Sequence, residues 1–308
     1  MPEKLPYLSM ATHLRRRFGQ RVQKIPLDAG FSCPNRDGTI SRNGCLFCNS
    51  DGSGSGLLRQ GLDLHAQWLF WREEQSRKCK ANIFLAYLQS FSNTHGSPDR
   101  LRRVLERIEH LPDRVGLCIG TRPDCLDAEK LDLLAALPGE TWLELGLQSS
   151  NNATLKRINR GHSAEDFAAA TRKASTRGLQ VCAHVIAGLP GEDADDFLAT
   201  IDYVNALPVA GIKLHNLYVA KGAPLEKIWR AGGYTPLEQD AYVELVCRAL
   251  GRLRPDIVTH RLTGDPAPGE LLAPDWAVEK HTMITSIQFR LKQTGLRQGD
   301  HYPPPEES

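Results

Sequence analysis

Short apolar runs alternate with longer amphipathic stretches along most of the chain. Six of these runs have the length and composition of buried strands: Val22–Leu27, Ile83–Leu88, Val115–Ile119, Trp142–Leu147, Val181–Ile186 and Ile212–Leu217. Five further stretches place apolar residues at helical spacing: Leu62–Lys78, Asp99–His110, Ala128–Ala136, Ala164–Arg177 and Ala194–Leu207. This alternation predicts an α/β fold around a parallel sheet. It is compatible with an open partial barrel and with a flat doubly wound sheet.

The pattern also predicts how the chain is divided. Residues 1–21 form an N-terminal basic helix or extension, and residues 22–221 form the strand-helix domain. Residues 222–298 form a C-terminal extension packed on that domain, and residues 299–308 form a disordered tail. In the extension, helices are predicted around 237–252 and 276–292. The tail is rich in proline and glutamate, which is typical of disorder. Residues 51–56 are Gly/Ser-rich without a G-x-G-x-x-G fingerprint, so we interpret them as a mobile linker.

Composition narrows the class of protein. The chain has 308 residues, 41% hydrophobic and 24% charged, which suits a globular protein with one large domain. Its eight cysteines are too unevenly spaced for a disulfide framework. No apolar run reaches the roughly 18–20 residues of a membrane-spanning helix. We therefore expect a protein of the reducing cytoplasm that is neither exported nor bound to a membrane.

Charge adds one candidate surface. The formal net charge of +2 does not by itself predict a nucleic-acid partner. Basic residues nevertheless cluster before the first cysteine of the loop described next: Arg15, Arg16, Arg17, Arg21 and Lys24. Such a run is typical of a solvated helix face, and it is also compatible with a patch that contacts phosphates.

Three cysteines, Cys33, Cys45 and Cys48, share one loop with the spacing C-x11-C-x2-C. A structural zinc site needs a fourth protein ligand, which would have to be distant, such as His65 or Cys79. A thioredoxin-like pair of Cys45 and Cys48 leaves Cys33 unexplained. An iron-sulfur cluster held by three thiolates leaves one iron open to a chelating small molecule such as S-adenosylmethionine. The cluster is the favoured hypothesis.

The residues around these cysteines resemble a known family. The stretches 28–38 (DAGFSCPNRDG) and 44–49 (GCLFCN) are similar to the cluster loop of radical S-adenosylmethionine (radical SAM) enzymes of the bacterial YhcC and YtqA group. That group is itself similar to the radical domain of the Elongator catalytic subunit. The resemblance runs from about Tyr7 to Arg297 and recurs in order at further landmarks: 121–124 (TRPD), 144–149 (ELGLQS), 159–161 (NRG) and 188–192 (GLPGE).

The resemblance implies both a fold and a chemistry. It implies an open partial (β/α)6 TIM-like barrel with the cluster loop after the first strand. It further implies a 4Fe-4S cluster on Cys33, Cys45 and Cys48 that passes one electron to S-adenosylmethionine, releasing a 5′-deoxyadenosyl radical for hydrogen abstraction. The electron would come from a donor such as flavodoxin or ferredoxin.

Candidate cofactor contacts follow the predicted strands. The resemblance places Gln89 and Ser90 at the methionyl amine, and Arg160 at the methionyl carboxylate, which a guanidinium can bind with two hydrogen bonds. Turn formation is the alternative for Gln89, and a surface ion pair is the alternative for Arg160.

Three more positions are candidates for the nucleoside part of the cofactor. Glu144 and Gln148 are four residues apart on one strand and so point the same way, toward ribose hydroxyls or an internal hydrogen-bond network. His184 stands where some relatives carry an aspartate for the ribose. Gly188 begins a turn that borders the adenine in the family, and an ordinary strand-to-helix turn is the alternative.

The expected function is therefore that of a radical SAM enzyme. A tRNA base is the favoured substrate, because of the Elongator resemblance and the basic run. No acetyltransferase domain is expected after the barrel, so the Elongator reaction itself is not carried over. The alternatives are a small-molecule or peptide substrate, or a zinc-stabilised nucleic-acid-binding module without catalysis.

Overall fold

A computed structural model describes residues 5–49 and 57–303. The predicted linker 51–56 lies outside these residues. Nine strands lie within them: β1 (Val22–Leu27), β2 (Ile83–Leu88), β3 (Arg114–Thr121), β4 (Glu140–Gln148), β5 (Gln180–Ala187), β6 (Gly211–Asn216), β7 (Val219–Ala220), β8 (Val258–Arg261) and β9 (Leu271–Ala273). The six predicted strands correspond to β1–β6.

In the described part of the chain, ten α-helices surround the sheet or follow it: α1 (Met10–Phe18), α2 (Leu64–Cys79), α3 (Pro98–Glu109), α4 (Ala128–Ala136), α5 (Asn152–Arg157), α6 (Ala164–Ser175), α7 (Ala194–Asn205), α8 (Pro224–Arg230), α9 (Gln239–Arg252) and α10 (Lys280–Thr294). Capping explains several of their starts. The Ser163 hydroxyl accepts a hydrogen bond from the Asp166 amide at the start of α6, and Asp193 does the same for the Asp196 amide at the start of α7.

The main sheet has seven parallel strands in the order β1-β2-β3-β4-β5-β6-β8. The sequence predicted six, so β8 is a correction. Only Val258 of its four residues is apolar, so a hydrophobicity pattern does not reveal this strand. β7 and β9 form a separate antiparallel pair.

The sheet is curled into an open, partial TIM-like barrel. Lys24 on β1 and His260 on β8 belong to the first and last strands of the sheet, yet the Lys24 Nζ and His260 Nδ1 atoms lie 3.3 Å apart. In a flat sheet these strands would be about 28 Å apart at the usual spacing between neighbours. The structure thus decides between the two architectures that the sequence pattern allowed.

Helix α1 covers the end of the barrel where the strands begin. Its buried Met10 and Leu14 pack with Val22, Trp142 and Val258, which lie near the starts of their strands. The Thr259 amide donates to the Leu8 carbonyl, which ties the segment before α1 to β8. Helix α1 therefore closes one mouth of the barrel.

The C-terminal region packs on the barrel and also contributes β8 to its sheet. Disorder was predicted from residue 299 onward, but residues 299–302 are held against α9. The amides of Gly299 and His301 donate hydrogen bonds to the carbonyls of Leu250 and Gly251 on that helix. The rest of the predicted tail, 304–308, lies outside the described residues. Within the described residues, no helix combines the length and apolarity needed to cross a membrane.

Candidate active site

The cysteine loop begins where β1 ends, at the opposite end of the strands from α1. The Cys33 carbonyl accepts hydrogen bonds from the amides of Arg36 and Asp37, at 2.8 and 3.1 Å, and the Cys48 amide donates to the Cys45 carbonyl at 3.0 Å. Two tight turns therefore present the three thiols. Cys45 is buried, whereas Cys33 and Cys48 are partly exposed.

All three cysteines line one cavity of about 190 Å³ at the carboxyl ends of the strands. Most of the predicted site residues line the same cavity: Gln89, Glu144, Gln148, Arg160 and His184. Parallel strands of a barrel bring the residues at their carboxyl ends together, and active sites of such barrels lie at this face. The loop, strands β4 and β5, the residue after β2 and the segment after α5 thus converge on one space.

Cys45 lies among hydrogen-bond donors. The Asn35 Nδ2 and Arg160 Nη1 atoms each lie 3.5 Å from the Cys45 Sγ atom. A hydrogen bond from the Cys48 thiol, together with the charge of Arg160, outweighs burial and holds the pKa of Cys45 well below its usual value. The thiolate is the form of cysteine that binds metals, so this environment suits a metal ligand.

The structure brings neither suggested zinc ligand to the cysteines. His65 is exposed near the start of α2, and Cys79 at its end hydrogen-bonds the Gln75 side chain at 3.3 Å. Neither lines the cavity. Among residues 5–49 and 57–303, no three His, Cys, Asp or Glu side chains are grouped closely enough for a single metal ion.

Arg160 is held in place through a second arginine. The guanidinium of Arg122 binds both carboxylate oxygens of Asp124, at 2.9 and 2.8 Å, and its Nη1 atom donates to the Arg160 carbonyl at 2.7 Å. Arg160 itself donates to the Gly146 carbonyl at 2.9 Å. The 121–124 and 159–161 landmarks are therefore one connected structure beside Cys45.

Glu144 lies at the centre of a buried charge network. Its carboxylate accepts a hydrogen bond from Lys24 at 2.9 Å and a short one from Lys213. The ring nitrogens of His184 and His260 lie 3.3 and 3.6 Å from its oxygens. The internal network that the sequence left open is thus present, and it uses both Glu144 oxygens.

Burial and charge set the protonation of this network. Burial raises the pKa of Glu144, but the charges of Lys213 and Lys24 outweigh it and leave the pKa well below the usual range. Burial lowers the pKa of Lys213 to about 8 despite Glu144, and lowers that of His184 to about 4. At neutral pH the network therefore holds an ionised carboxylate, charged lysines and a neutral histidine.

Two predicted site residues lie outside the cavity lining. Ser90 is buried next to Gln89, and its hydroxyl has no hydrogen-bond partner among the described atoms. Gly188 has a φ of +81°, which favours glycine, and its carbonyl accepts a hydrogen bond from Tyr234 at 2.9 Å. Gly188 thus has the geometry of a turn held by the C-terminal region.

The sequence analysis gave no site role to two residues that line the cavity, Lys213 and His215. Lys213 and His215 alternate inward on β6, and a lysine within an otherwise apolar strand was a usable signal. Arg261 lies on β8, the strand that was not predicted. Lys24, assigned to the basic run, points into the barrel instead of lying on the surface with the exposed arginines of α1.

Several buried polar atoms beside the cavity lack partners in the described chain. They include nitrogens and oxygens of residues from four segments: Asn35 Oδ1, Asn93 Oδ1, Arg160 Nε and His215 Nε2. Unsatisfied buried polar groups are costly and rare in proteins, so a bound ligand is expected to satisfy some of them. Together with three thiols and a guanidinium, they fit a metal cluster with a polar small molecule.

Comparison with known proteins identifies the family. The model of the radical SAM superfamily matches residues 38–204, and that of the radical SAM C-terminal domain matches residues 209–293. The chain belongs to the radical SAM superfamily. It is therefore a radical SAM enzyme, and the cofactors of its family are a 4Fe-4S cluster and S-adenosylmethionine. The fold predicted from the resemblance is confirmed.

Three comparisons show which members of the superfamily this radical SAM protein is similar to. YtqA of Bacillus subtilis is 40% identical over 98% of this chain and 94% of its own length. A tRNA uridine(34) acetyltransferase of Methanocaldococcus infernus is 29% identical over 59% of this chain and 34% of its own length. The structure of Elp3 from the same archaeon, with residues 1–46 deleted, has a TM-score of 0.69 at 20% identity, covering 90% of this chain and 64% of that one.

Proposed function

We propose that the protein cleaves S-adenosylmethionine reductively at a cluster held by Cys33, Cys45 and Cys48, and abstracts a hydrogen atom from its substrate. The observation that supports this most is the convergence of the three thiols on one cavity with Gln148 and Arg160. When bound, the two cofactors supply a 5′-deoxyadenosyl radical by one-electron cleavage. The electron comes from a cytoplasmic donor such as flavodoxin or ferredoxin.

The residues of the cavity divide the cofactor contacts among them. Arg160 would bind the methionyl carboxylate through its unpaired Nε atom, with its Nη1 atom beside Cys45. Gln89 is assigned to the methionyl amine, with Ser90 behind it. Gln148 and His184 are assigned to the ribose, and Gly188 to the turn beside the adenine. Glu144 lines the same cavity and is assigned to the ribose side of the site, where it holds Lys213 and His184 in place.

For the substrate we favour a tRNA base. The support is the similarity of more than half of this chain to a tRNA uridine(34) acetyltransferase. The match covers about a third of that protein, so acetyl transfer is not proposed. A base turned out of its stack is small enough for a barrel site, whereas a folded tRNA stays outside.

The tRNA proposal is tested by nucleoside profiles of total tRNA. Cells that lack the protein are compared with cells that carry the parent or the Cys48→Ala variant. We expect one modified nucleoside to disappear without the protein, to return with the parent and to stay absent with Cys48→Ala. Identical profiles in all three strains would remove tRNA as the substrate and leave the cofactor chemistry untouched.

A further inference from the structure

Some cationic side chains of the cavity already bind other protein groups, and others bind few. Arg122 binds Asp124, and Arg160 binds Cys45 and Gly146. Arg36 donates to the Asn49 carbonyl. These three arginines therefore have partners, and each lies near the cysteine thiols, where a guanidinium offsets thiolate charge.

Arg261 is paired less tightly than these three arginines, through one long ion pair. It lines the cavity, its side chain is 23% exposed, and no described residue accepts a hydrogen bond from it. Its nearest carboxylate, Asp265, is 3.8 Å away and is already bound by Lys280. A guanidinium has five N–H donors in a planar fork. The N–H donors of Arg261 are therefore free to bind a ligand.

Lys213 lies directly beside Arg261. The two are register partners on the neighbouring strands β6 and β8, and both line the cavity. Lys213 donates to the Tyr87 hydroxyl at 2.9 Å and to Glu144. Because an ammonium group has three donors, one remains available.

Two like charges side by side in a sheet are unfavourable without a counter-charge. Glu144 is the one carboxylate among the described residues that line the cavity, and Lys24 already shares it with Lys213. Lys24, Lys213, Arg261 and Lys280 thus share two carboxylates, Glu144 and Asp265, so positive charge is in excess here.

We infer that the substrate carries an oxyanion, a carboxylate or a phosphate, and that Arg261 and Lys213 bind it between β6 and β8. The planar fork of Arg261 makes two hydrogen bonds to such a group, and Lys213 adds a third. The inference rests on the proposed function, because it assigns the substrate class of the same cavity.

The test is an anion titration of the cluster-loaded protein, kept anaerobic without reductant and saturated with S-adenosylmethionine so that the cofactor carboxylate is already in place. Orthophosphate is followed by phosphorus NMR and labelled acetate by carbon NMR. We expect Arg261→Gln to weaken binding of the preferred anion about tenfold, since it removes a charged fork. Arg261→Lys, which keeps the charge, should fall between this variant and the parent.

Arg252→Gln is the matched control, because the Arg252 side chain on α9 is 41% exposed and pairs with Asp202 outside the cavity. If the parent protein binds orthophosphate more tightly than acetate, the oxyanion of the substrate is a phosphate. If it binds acetate more tightly, the oxyanion is a carboxylate. The inference is overturned if Arg261→Gln binds both anions as the parent does, or if Arg252→Gln weakens binding equally. The titration needs no cofactor cleavage, so failure to form 5′-deoxyadenosine would count against the proposed function alone.

Discussion

At the residue scale, Glu144 organises the interior of the barrel. It is 1% exposed and joins Lys24 of β1 to Lys213 of β6. Removing one partner from a buried ion network is costly, because the remaining charges keep their desolvation penalty without their compensation.

We predict that Glu144→Gln lowers the free energy of unfolding by about 3–5 kcal/mol, because the buried Lys213 and the half-buried Lys24 lose their counter-charge. Urea denaturation at neutral pH measures the change. Glu244→Gln is the control, because Glu244 pairs with Arg290 at the surface, where both side chains are more than 40% exposed. The control should change stability by less than about 1 kcal/mol. Equal effects of the two variants would contradict the network.

His260 predicts a pH dependence of stability. Its side chain is fully buried, and the centroid of its ring lies 4.4 Å from that of Trp142. Burial, together with the charge of Lys24, lowers the pKa of His260 to about 3. The unfolded chain binds this proton near pH 6.5 and the folded protein does not, so stability falls as the pH drops below 6.5. Between pH 7 and pH 5 this histidine accounts for a loss of about 2 kcal/mol.

The check compares the pH 7 to pH 5 difference in unfolding free energy for the parent and for His260→Gln. The variant should show a difference smaller by about 2 kcal/mol, whatever its stability at pH 7. His281→Gln, at an exposed histidine of α10, should behave like the parent. An unchanged difference in His260→Gln would show that this ring is protonated in the folded state.

The sequence predicted the roles of some site residues and not of others. The spacing of Cys33, Cys45 and Cys48 indicated a shared site, because their chemistry is local to one loop. The partnership of Lys24 with Glu144 spans 120 residues and depends on the curl of the sheet. No local pattern encodes such a pair, and so Lys24 was assigned to the wrong surface.

At the element scale, α1 and the cysteine loop occupy opposite ends of the strands. Arg15, Arg16 and Arg17 are exposed on α1, at the mouth where the strands begin. Exposed cations near the other mouth lie in the cysteine loop, on α5 and after β7: Arg42, Lys156 and Lys221. RNA that delivers a base to the cavity would lie at this second mouth.

We therefore predict that replacing Arg42, Lys156 and Lys221 by glutamine reduces the salt dependence of tRNA binding by about one unit of slope per lost phosphate contact. The same replacement of Arg15, Arg16 and Arg17 should leave the slope almost unchanged. Filter binding over a salt series measures both. A larger effect of the α1 triple variant would restore the basic run as the RNA-binding surface.

Elements were predictable where burial is uniform. Strands β2 to β6 are buried on both faces, so their sequences are nearly continuous apolar runs. β8 was not predictable from hydrophobicity, because its inward residues serve the polar interior of the barrel.

At the scale of the whole molecule, the sequence pattern did not distinguish an open barrel from a flat sheet. The strand-helix alternation is common to both, and the difference lies in contacts between distant strands, such as Lys24 with His260. The family resemblance predicted the barrel correctly. The curl then explains the site, because it brings a loop after β1 and residues of β4, β5, β6 and β8 around one cavity.

The central claim is that the three loop cysteines hold a cluster that supports cleavage of S-adenosylmethionine. The most direct measurement is 5′-deoxyadenosine formed by anaerobically reconstituted protein with reductant, alongside iron and sulfide content. The parent and Cys79→Ala should bind about four irons and form the product. Cys45→Ala should lose product formation and most of the iron. Product formation by Cys45→Ala at the parent's level, or a parent that binds zinc without sulfide, would contradict the claim.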